Sequence, residues 1–308
     1  MPHPPQRIFE LARSGVRLEA VRDPAVDAHR TPGVPSLPAE SRPWDEVARE
    51  PTPSWYLDPL VAAQKRALHL ELIDRWIAGV PRLLLKTDLF EEAYGSDQLL
   101  PDLRSRCGMA IGLDISTETV RRARAQMTSR DCHRLPVSNL PMTDLLVSDL
   151  RRLAVPSGSV DLVISNSSLD HFRSEAEFRE ALAELARILR PGGQLIVTAD
   201  NPVNPLYWPL RWLSRIGGAP FPLGYTPTAG GLVRRLRESG LEVTATASLI
   251  HNPRGISTLL FLALRRSLGA RADRPVQALL RMFARLGRLP TRGITACFVA
   301  ASARKPLG

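Results

Sequence analysis

Acidic side chains stand just past short apolar runs. Asp114 ends MAIGLD (109–114), Asp149 ends LLVSD (145–149) and Asp200 ends QLIVTAD (194–200). Runs of this length and composition read as buried strands. In an open α/β sheet, ligands bind beyond the carboxyl ends of the strands. A carboxylate after one strand can accept both hydroxyls of a ribose, and one after the next can accept an exocyclic base amine. Asp114 and Asp149, with Ile115 and Leu150 beside them, therefore suit a nucleoside-containing ligand. A further strand, VDLVIS (160–165), is followed by NSSLDHF (166–172), which brings Asn166, Ser167 and His171 to the same edge. A histidine there can exchange a proton near neutral pH. His251, in HNPRG after a late strand, is a second candidate base, and Tyr225 in FPLGYT is a candidate pocket residue. The stretch LLLKTDLFEEAYG (83–95) adds Lys86, Thr87, Asp88, Glu91 and Gly95 after the first strand. His3, His29, His69 and His133 have no partner in the sequence and are assigned no role. There is no Ser-His-Asp signature, P-loop or metal-ligand cluster.

The elements that must position these residues alternate in kind. Residues 58–79 open with an N-cap Asp and a Pro at the first helical position, and Gly79 stops their apolar periodicity. A strand at 83–86 leads to a helix ending near Arg106. Strands at 109–114, 145–149, 160–165 and 194–200 are separated by helices at 116–127 and 175–190, the latter stopped by Pro-Gly-Gly. Later come an amphipathic NPLYWPLRWLSRI, a helix at 226–240, a strand at 241–250, basic helices at about 256–268 and 274–288, and a last strand at 293–303. Alternating buried strands and helices predict a doubly wound, mostly parallel α/β sheet, and the late strands predict an antiparallel edge hairpin.

Composition narrows the classes. The chain has 308 residues, 44% of them hydrophobic and 23% charged, which is ordinary for a globular protein. No apolar run approaches the roughly 20 residues of a membrane span. No secretory h-region is visible near the start, and the cysteines Cys107, Cys132 and Cys297 form no pair motif, so reduced thiols and a cytoplasmic setting are expected. The net charge is +10. Residues 201–308 hold 16 Lys and Arg against 3 Asp and Glu, so that third carries the whole excess. Such a surplus attracts anions. Its arginines are interleaved with apolar residues at helical spacing, which suits a packed helix with its arginines in water. The expected partners are a small molecule, anionic or apolar, with at most weak peripheral membrane contact and no nucleic acid.

The segment LLVSDLRRLAVPSGSVDLVISNSSLDHF, continued by FREALAELARILRPGGQLIVTADN (145–201), resembles class I S-adenosylmethionine-dependent methyltransferases. It is most similar to the type 11 and quinone-biosynthesis group. The resemblance spans about residues 58–250. It implies a Rossmann-like seven-stranded fold with S-adenosylmethionine as cofactor and methyl transfer to oxygen or carbon of a small or lipid-like acceptor. Under it, Asp114 holds the ribose, Asp149 and Leu150 meet the adenine, and Asn166 and Ser167 lie beside the methionine part. The chain departs from the family at the first motif. An acid followed by a Gly-x-Gly-x-Gly loop is expected, whereas Lys86 to Glu92 carry side chains and only Gly95 remains. Asp88 or Glu91 would replace the missing acid, and Lys86 would pair with a carboxylate. The alternative is a non-methylating protein on the same fold with a repurposed site. Residues 1–57, rich in proline, are expected to form an arm or cap. Residues 58–308 would be the methyltransferase domain, with a basic helical insertion at about 202–290.

Overall fold

The computed structural model describes residues 41–49, 58–95, 98–134, 143–216 and 223–307. Of the proline-rich arm, only helix α1 (Ser41–Arg49) is among them. Helix α2 (Pro59–Trp76) starts where Asp58 accepts a hydrogen bond from the Leu60 amide at 2.9 Å. Then follow β1 (Leu83–Thr87), the short helices α3 (Phe90–Tyr94) and α4 (Leu100–Arg104), β2 (Met109–Asp114), α5 (Thr117–Arg134), β3 (Thr143–Val147) and β4 (Val160–Asn166). A 3-10 turn (Leu169–His171), α6 (Glu175–Ile188) and β5 (Leu189–Asp200) complete the first half. The second half holds α7 (Tyr207–Arg215), α8 (Ala229–Glu238), β6 (Glu242–Leu249), α9 (Ile256–Leu268), α10 (Asp273–Leu286), α11 (Arg292–Thr295) and β7 (Phe298–Arg304).

The strands form one seven-stranded sheet in the order β3-β2-β1-β4-β5-β7-β6. The first five are parallel, and β7 runs antiparallel between β5 and β6. Helices cover both faces, so the parallel strands read as continuous apolar runs rather than alternating ones. Six of the seven β4 residues are buried, and only Asn166 at its carboxyl end is half-exposed. One face packs α6 and α8 through Phe178, Leu182, Leu185 and Leu236. The other packs α2 to α5 through Ile73, Leu100, Leu103 and Val120. The chain reverses its winding between β1 and β4, which opens a crevice at their carboxyl ends.

Several boundaries depart from the sequence reading. Helix α5 runs on to Arg134 rather than ending near residue 127, and β3 spans Thr143–Val147, so Asp149 lies two residues past its end. The single helix expected after β1 is split at Gly95. Pro191, Gly192 and Gly193 do not separate α6 from β5. They lie inside β5, where Gly192 takes φ +76° and the register with β4 shifts between Val160 and Leu162. Residues 292–295 are helical, so the last strand starts only at Phe298.

Helices α9 and α10 are tied to the start of α2. Arg265 of α9 reaches Asp58, with its Nε 2.6 Å from Oδ2. Phe261, Val276, Leu280 and Phe283 form a satellite cluster that takes in Leu60 and Val61 of α2. The turn after β4 is fixed from the other side. Gly224 donates to the Asp170 carbonyl at 2.8 Å, and Tyr225 donates to the Phe172 carbonyl at 2.6 Å. A Cβ on Gly224 would lie 2.0 Å from the Phe172 oxygen. Gly224→Ala is therefore expected to cost about 1–3 kcal/mol by forcing backbone apart. Gly230→Ala, whose Cβ meets nothing within 4 Å, should be neutral or stabilising by up to about 1 kcal/mol. Thermal denaturation of the two variants beside the parent checks the contrast.

Candidate active site

A cavity of about 740 Å³ occupies the crevice. That is within the usual size range of small-molecule sites, roughly 300–1,000 Å³. Its near end is made by side chains at the carboxyl ends of four parallel strands. Lys86 and Asp88 come from β1 and its exit, Asp114 from β2, Asp149 from the loop after β3, and Asn166 and Ser167 from β4. Ile115, Leu150, Glu91 and His171 line it as well.

Asp114 Oδ1 accepts from the Ser116 amide at 2.8 Å, and Oδ2 accepts from the Leu89 amide at 2.9 Å. Burial, reinforced by the nearby Asp88 carboxylate, pushes its pKa up to about 7. Asp149 behaves in the opposite way. Burial disfavours its charge, but Arg151 grips both oxygens, with Nη2 at 2.5 Å from Oδ2, and holds it below the usual carboxylate range. Both amide atoms of the Asn166 side chain are buried without a hydrogen-bond partner. A buried polar atom left in this state costs about 1–3 kcal/mol, so the position favours a polar group placed against it. That orphaned amide, set among three carboxylates at strand ends, fits a nucleoside bearing an amino-acid tail.

The first-motif segment is rebuilt around an ion pair. Lys86 Nζ lies 2.9 Å from Glu92 Oε2, with both side chains almost fully buried. It also donates to the Asp88 carbonyl. Burial opposes the ammonium, yet Glu92 and Asp88 hold its pKa above the ordinary lysine value. Glu92 Oε1 accepts from the amides of Leu99 and Leu100, at 3.2 and 3.0 Å, where α4 begins. Asp88 takes φ +65° and caps the Phe90 amide at 2.7 Å. Burial raises its pKa above the carboxylate norm, against the pull of Lys86. Aspartate tolerates this left-handed backbone better than most residues. The partner of Lys86 is thus Glu92, while Glu91 pairs with Lys65 at 3.0 Å.

Four sequence candidates stand outside the cavity lining. Thr87 is buried, with its hydroxyl 3.0 Å from the Ser165 and 2.6 Å from the Ser168 hydroxyl. Gly95 ends α3 in an extended conformation. His251 is packed behind the site, with Nδ1 2.8 Å from the Thr295 hydroxyl and its ring close to Gly287. Tyr225 packs edge-on against Phe178 at 5.5 Å, as a core aromatic. A late strand brings His251 near the edge of the crevice, but the backbone of α10 covers it.

Beside Asp200, the structure adds residues that the sequence did not single out. Helix α1 contributes Trp44 and Val47 to the cavity lining. Asp45 accepts from the Ser116 hydroxyl at 2.7 Å and from the Glu118 amide at 3.2 Å. Tyr94 donates to the Ala48 carbonyl. Trp44 meets the His171 ring edge-on, 5.1 Å between centroids. At the far end, Asp200 pairs with Arg254 at 2.5 Å, and the guanidinium lies 4.4 Å over the Phe298 ring. Asp170 Oδ2 accepts from the Ser167 hydroxyl and the Asp200 amide, which leaves Oδ1 buried without a partner. Burial and the Asp200 charge raise the Asp170 pKa. His69 lines the same end, although its sequence context gave it no role. Arg254 had a weak signal, since it sits in the HNPRG loop singled out for its histidine. Trp44 had none.

Comparison with known proteins agrees with this geometry. The family described as "Methyltransferase domain" matches residues 91–197. A probable S-adenosylmethionine-dependent methyltransferase of Mycolicibacterium smegmatis is 30% identical over 170 residues, 52% of each chain. The chain spans about half the length of such curated relatives. Among solved structures, the [4+2]-cyclase SpnF superposes with a TM-score of 0.52 at 19% identity, covering 86% of this chain and 92% of that one. A methyltransferase from Methanosarcina mazei gives 0.51 at 16% identity, covering 77% and 98%. These two likenesses show the fold alone. The family match over residues 91–197, the named relative and the acids at the strand ends together make the chain similar to class I S-adenosylmethionine-dependent methyltransferases.

Proposed function

We propose that the protein transfers a methyl group from S-adenosylmethionine to oxygen or carbon of a small-molecule acceptor. The observation that carries this reading is the convergence of Asp88, Asp114, Asp149 and the unpartnered Asn166 amide on one end of a single cavity. Asp114 takes the ribose hydroxyls while keeping its two backbone amides, since each carboxylate oxygen has a second lone pair. Asp149, with Ile115 and Leu150, receives the adenine. Asn166, Ser167 and the Asp88 carboxylate face the amino-acid tail, with Asp88 standing where the family has its first acid. Lys86 acts through the loop it holds, and Glu91 through Lys65.

When bound, the cofactor supplies an electrophilic methyl group on sulfur. The chain's own part is to hold the acceptor in line with that group and to exclude water. His171, on the cavity wall beneath Trp44, accepts the proton of an acceptor hydroxyl. Helix α1 acts as the cap, so residues 1–57 form the arm and 58–308 the domain. The far half of the cavity is apolar through Leu210, Leu213, Leu262 and Phe298, with Arg254 at its polar end. It suits an apolar body with a polar or anionic head, in a cytoplasmic setting and without nucleic acid. A non-methylating protein on this fold is the second reading, and the Lys86–Glu92 pair in place of glycines favours it.

Calorimetry with S-adenosylhomocysteine tests both readings, since measurable binding supports the first and none supports the second. In the first case Asp114→Ala should weaken binding by about 1.5–3 kcal/mol, tenfold or more. Unchanged affinity would remove Asp114 from the site. Because the ribose hydroxyls donate, they favour the ionised Asp114, whose pKa is pushed up to about 7. Affinity is therefore expected to rise between about pH 6 and about pH 8, and Asp114→Asn should flatten that rise. The same shift lowers the stability of the ligand-free fold with increasing pH. Above the unfolded pKa of Asp114 the folded state binds the extra proton, and that contribution is lost by the time the folded pKa is passed. Urea titration of parent and Asp114→Asn across this window checks the sign. Lys86→Ala should weaken cofactor binding more than Lys65→Ala. It should also destabilise the fold by about 3–5 kcal/mol, because Glu92 is left buried without its counter-ion.

A further inference from the structure

Two helices of the insertion are amphipathic in an inverted sense. On α9 the exposed positions are Ile256, Leu259, Leu260, Ala263, Arg266, Ser267 and Leu268, and all but the last recur at helical spacing as one stripe. The stripe is apolar over its first two turns, and Leu259 is 69% exposed. On α7 the exposed face is Trp208, Pro209, Trp212, Leu213, Arg215 and Ile216. Trp208 is 60% and Trp212 63% exposed. The two elements adjoin, since a Cβ on Gly255, at the start of α9, would lie 3.7 Å from the Leu210 side chain of α7. A soluble monomer rarely presents contiguous apolar faces of this kind, and their presence marks an interaction surface.

Two further observations select the occupant. The first is charge. Each stripe carries an exposed arginine, Arg215 or Arg266, and residues 201–308 hold 16 basic against 3 acidic side chains. Of those three acids, Glu238 and Asp273 already pair with Arg235 and Arg265. Tryptophans and leucines beside arginines suit the boundary between lipid headgroups and acyl chains. The second is position. Leu213 and Leu259 belong to the exposed stripes and also line the cavity, so both stripes reach the cavity wall. No helix among the described residues is long and apolar enough to cross a membrane, so the contact would lie along a surface.

We infer that α7 and α9 dock the cavity rim onto an anionic lipid surface, from which an acyl-chain acceptor enters without passing through water. The docking stands on the two helices alone, while the acceptor rests on the methyl-transfer reading above. Insertion of the two tryptophans and the leucine-rich stripe supplies the apolar part, and the arginines make it selective for negative headgroups and sensitive to salt.

The test is co-sedimentation with phosphatidylcholine vesicles and with vesicles of phosphatidylcholine mixed with phosphatidylglycerol, at low and high ionic strength, with tryptophan emission read in parallel. Binding to the mixed vesicles, with a blue-shifted emission and weakening at high salt, is expected. The exposed pair Trp212→Gln and Leu260→Gln, changed together, should lower that partitioning about tenfold or more while leaving melting temperature and S-adenosylhomocysteine affinity unchanged. Binding to neither vesicle overturns the docking, as does equal binding to both or a concentration-dependent dimer lost in the double variant. Vesicle binding by a protein that fails to bind S-adenosylhomocysteine would sink the methyl-transfer reading and leave the docking intact.

Discussion

The near end of the site depends on one buried ion pair. Lys86 at the end of β1 would be untenable without Glu92, and Glu92 also collects the first free amides of α4. The pair therefore fixes three things together: where β1 stops, how α3 turns away from the sheet, and where α4 begins. A glycine-rich turn would leave this to backbone freedom. Here a charged pair of fixed length does it, and Asp88 is held in the left-handed region between its two ends. The cost of burying two charges is large, and near-perfect geometry together with extra hydrogen bonds is what offsets it.

Strain is gathered at the same place. Among the described residues, the non-glycine positions with positive φ are Asp88, Ser167 and Ile250, and all three line the cavity. Each costs about 1–3 kcal/mol unless its surroundings over-determine it. Ser167 shows how that is done. Its amide donates to both the carbonyl and the hydroxyl of Thr198 on the neighbouring strand, and its own hydroxyl holds Asp170. Left-handed backbone at non-glycine residues is thus found where the sheet meets the ligand space.

That division explains what was legible in the sequence. Buried parallel strands are apolar runs of known length, so β2, β4 and the end of β5 could be read directly, and with them the acids Asp114 and Asp200, while Asp149 was found from a run that overshoots β3 by two residues. Amphipathic periodicity likewise gave α2, α6, α9 and α10. What failed to show were contacts that depend on three-dimensional closure. Nothing in SRPWDEVAR marks Trp44 as a neighbour of His171, because the two are brought together by a helix lying across the sheet edge. The choice between Glu91 and Glu92 was equally invisible, since one residue of helical rotation sends one to Lys65 and the other to Lys86. His251 misled for the opposite reason: a histidine after a strand looks available until α10 is packed over it.

Among the described residues, one cavity is lined both by the strand-end carboxylates and by the apolar residues around Phe298. Two ligands that fill it must therefore touch, and each becomes part of the other's container. Whatever affinity the first lends to the second is returned in full by reciprocity, because binding free energies close in a cycle.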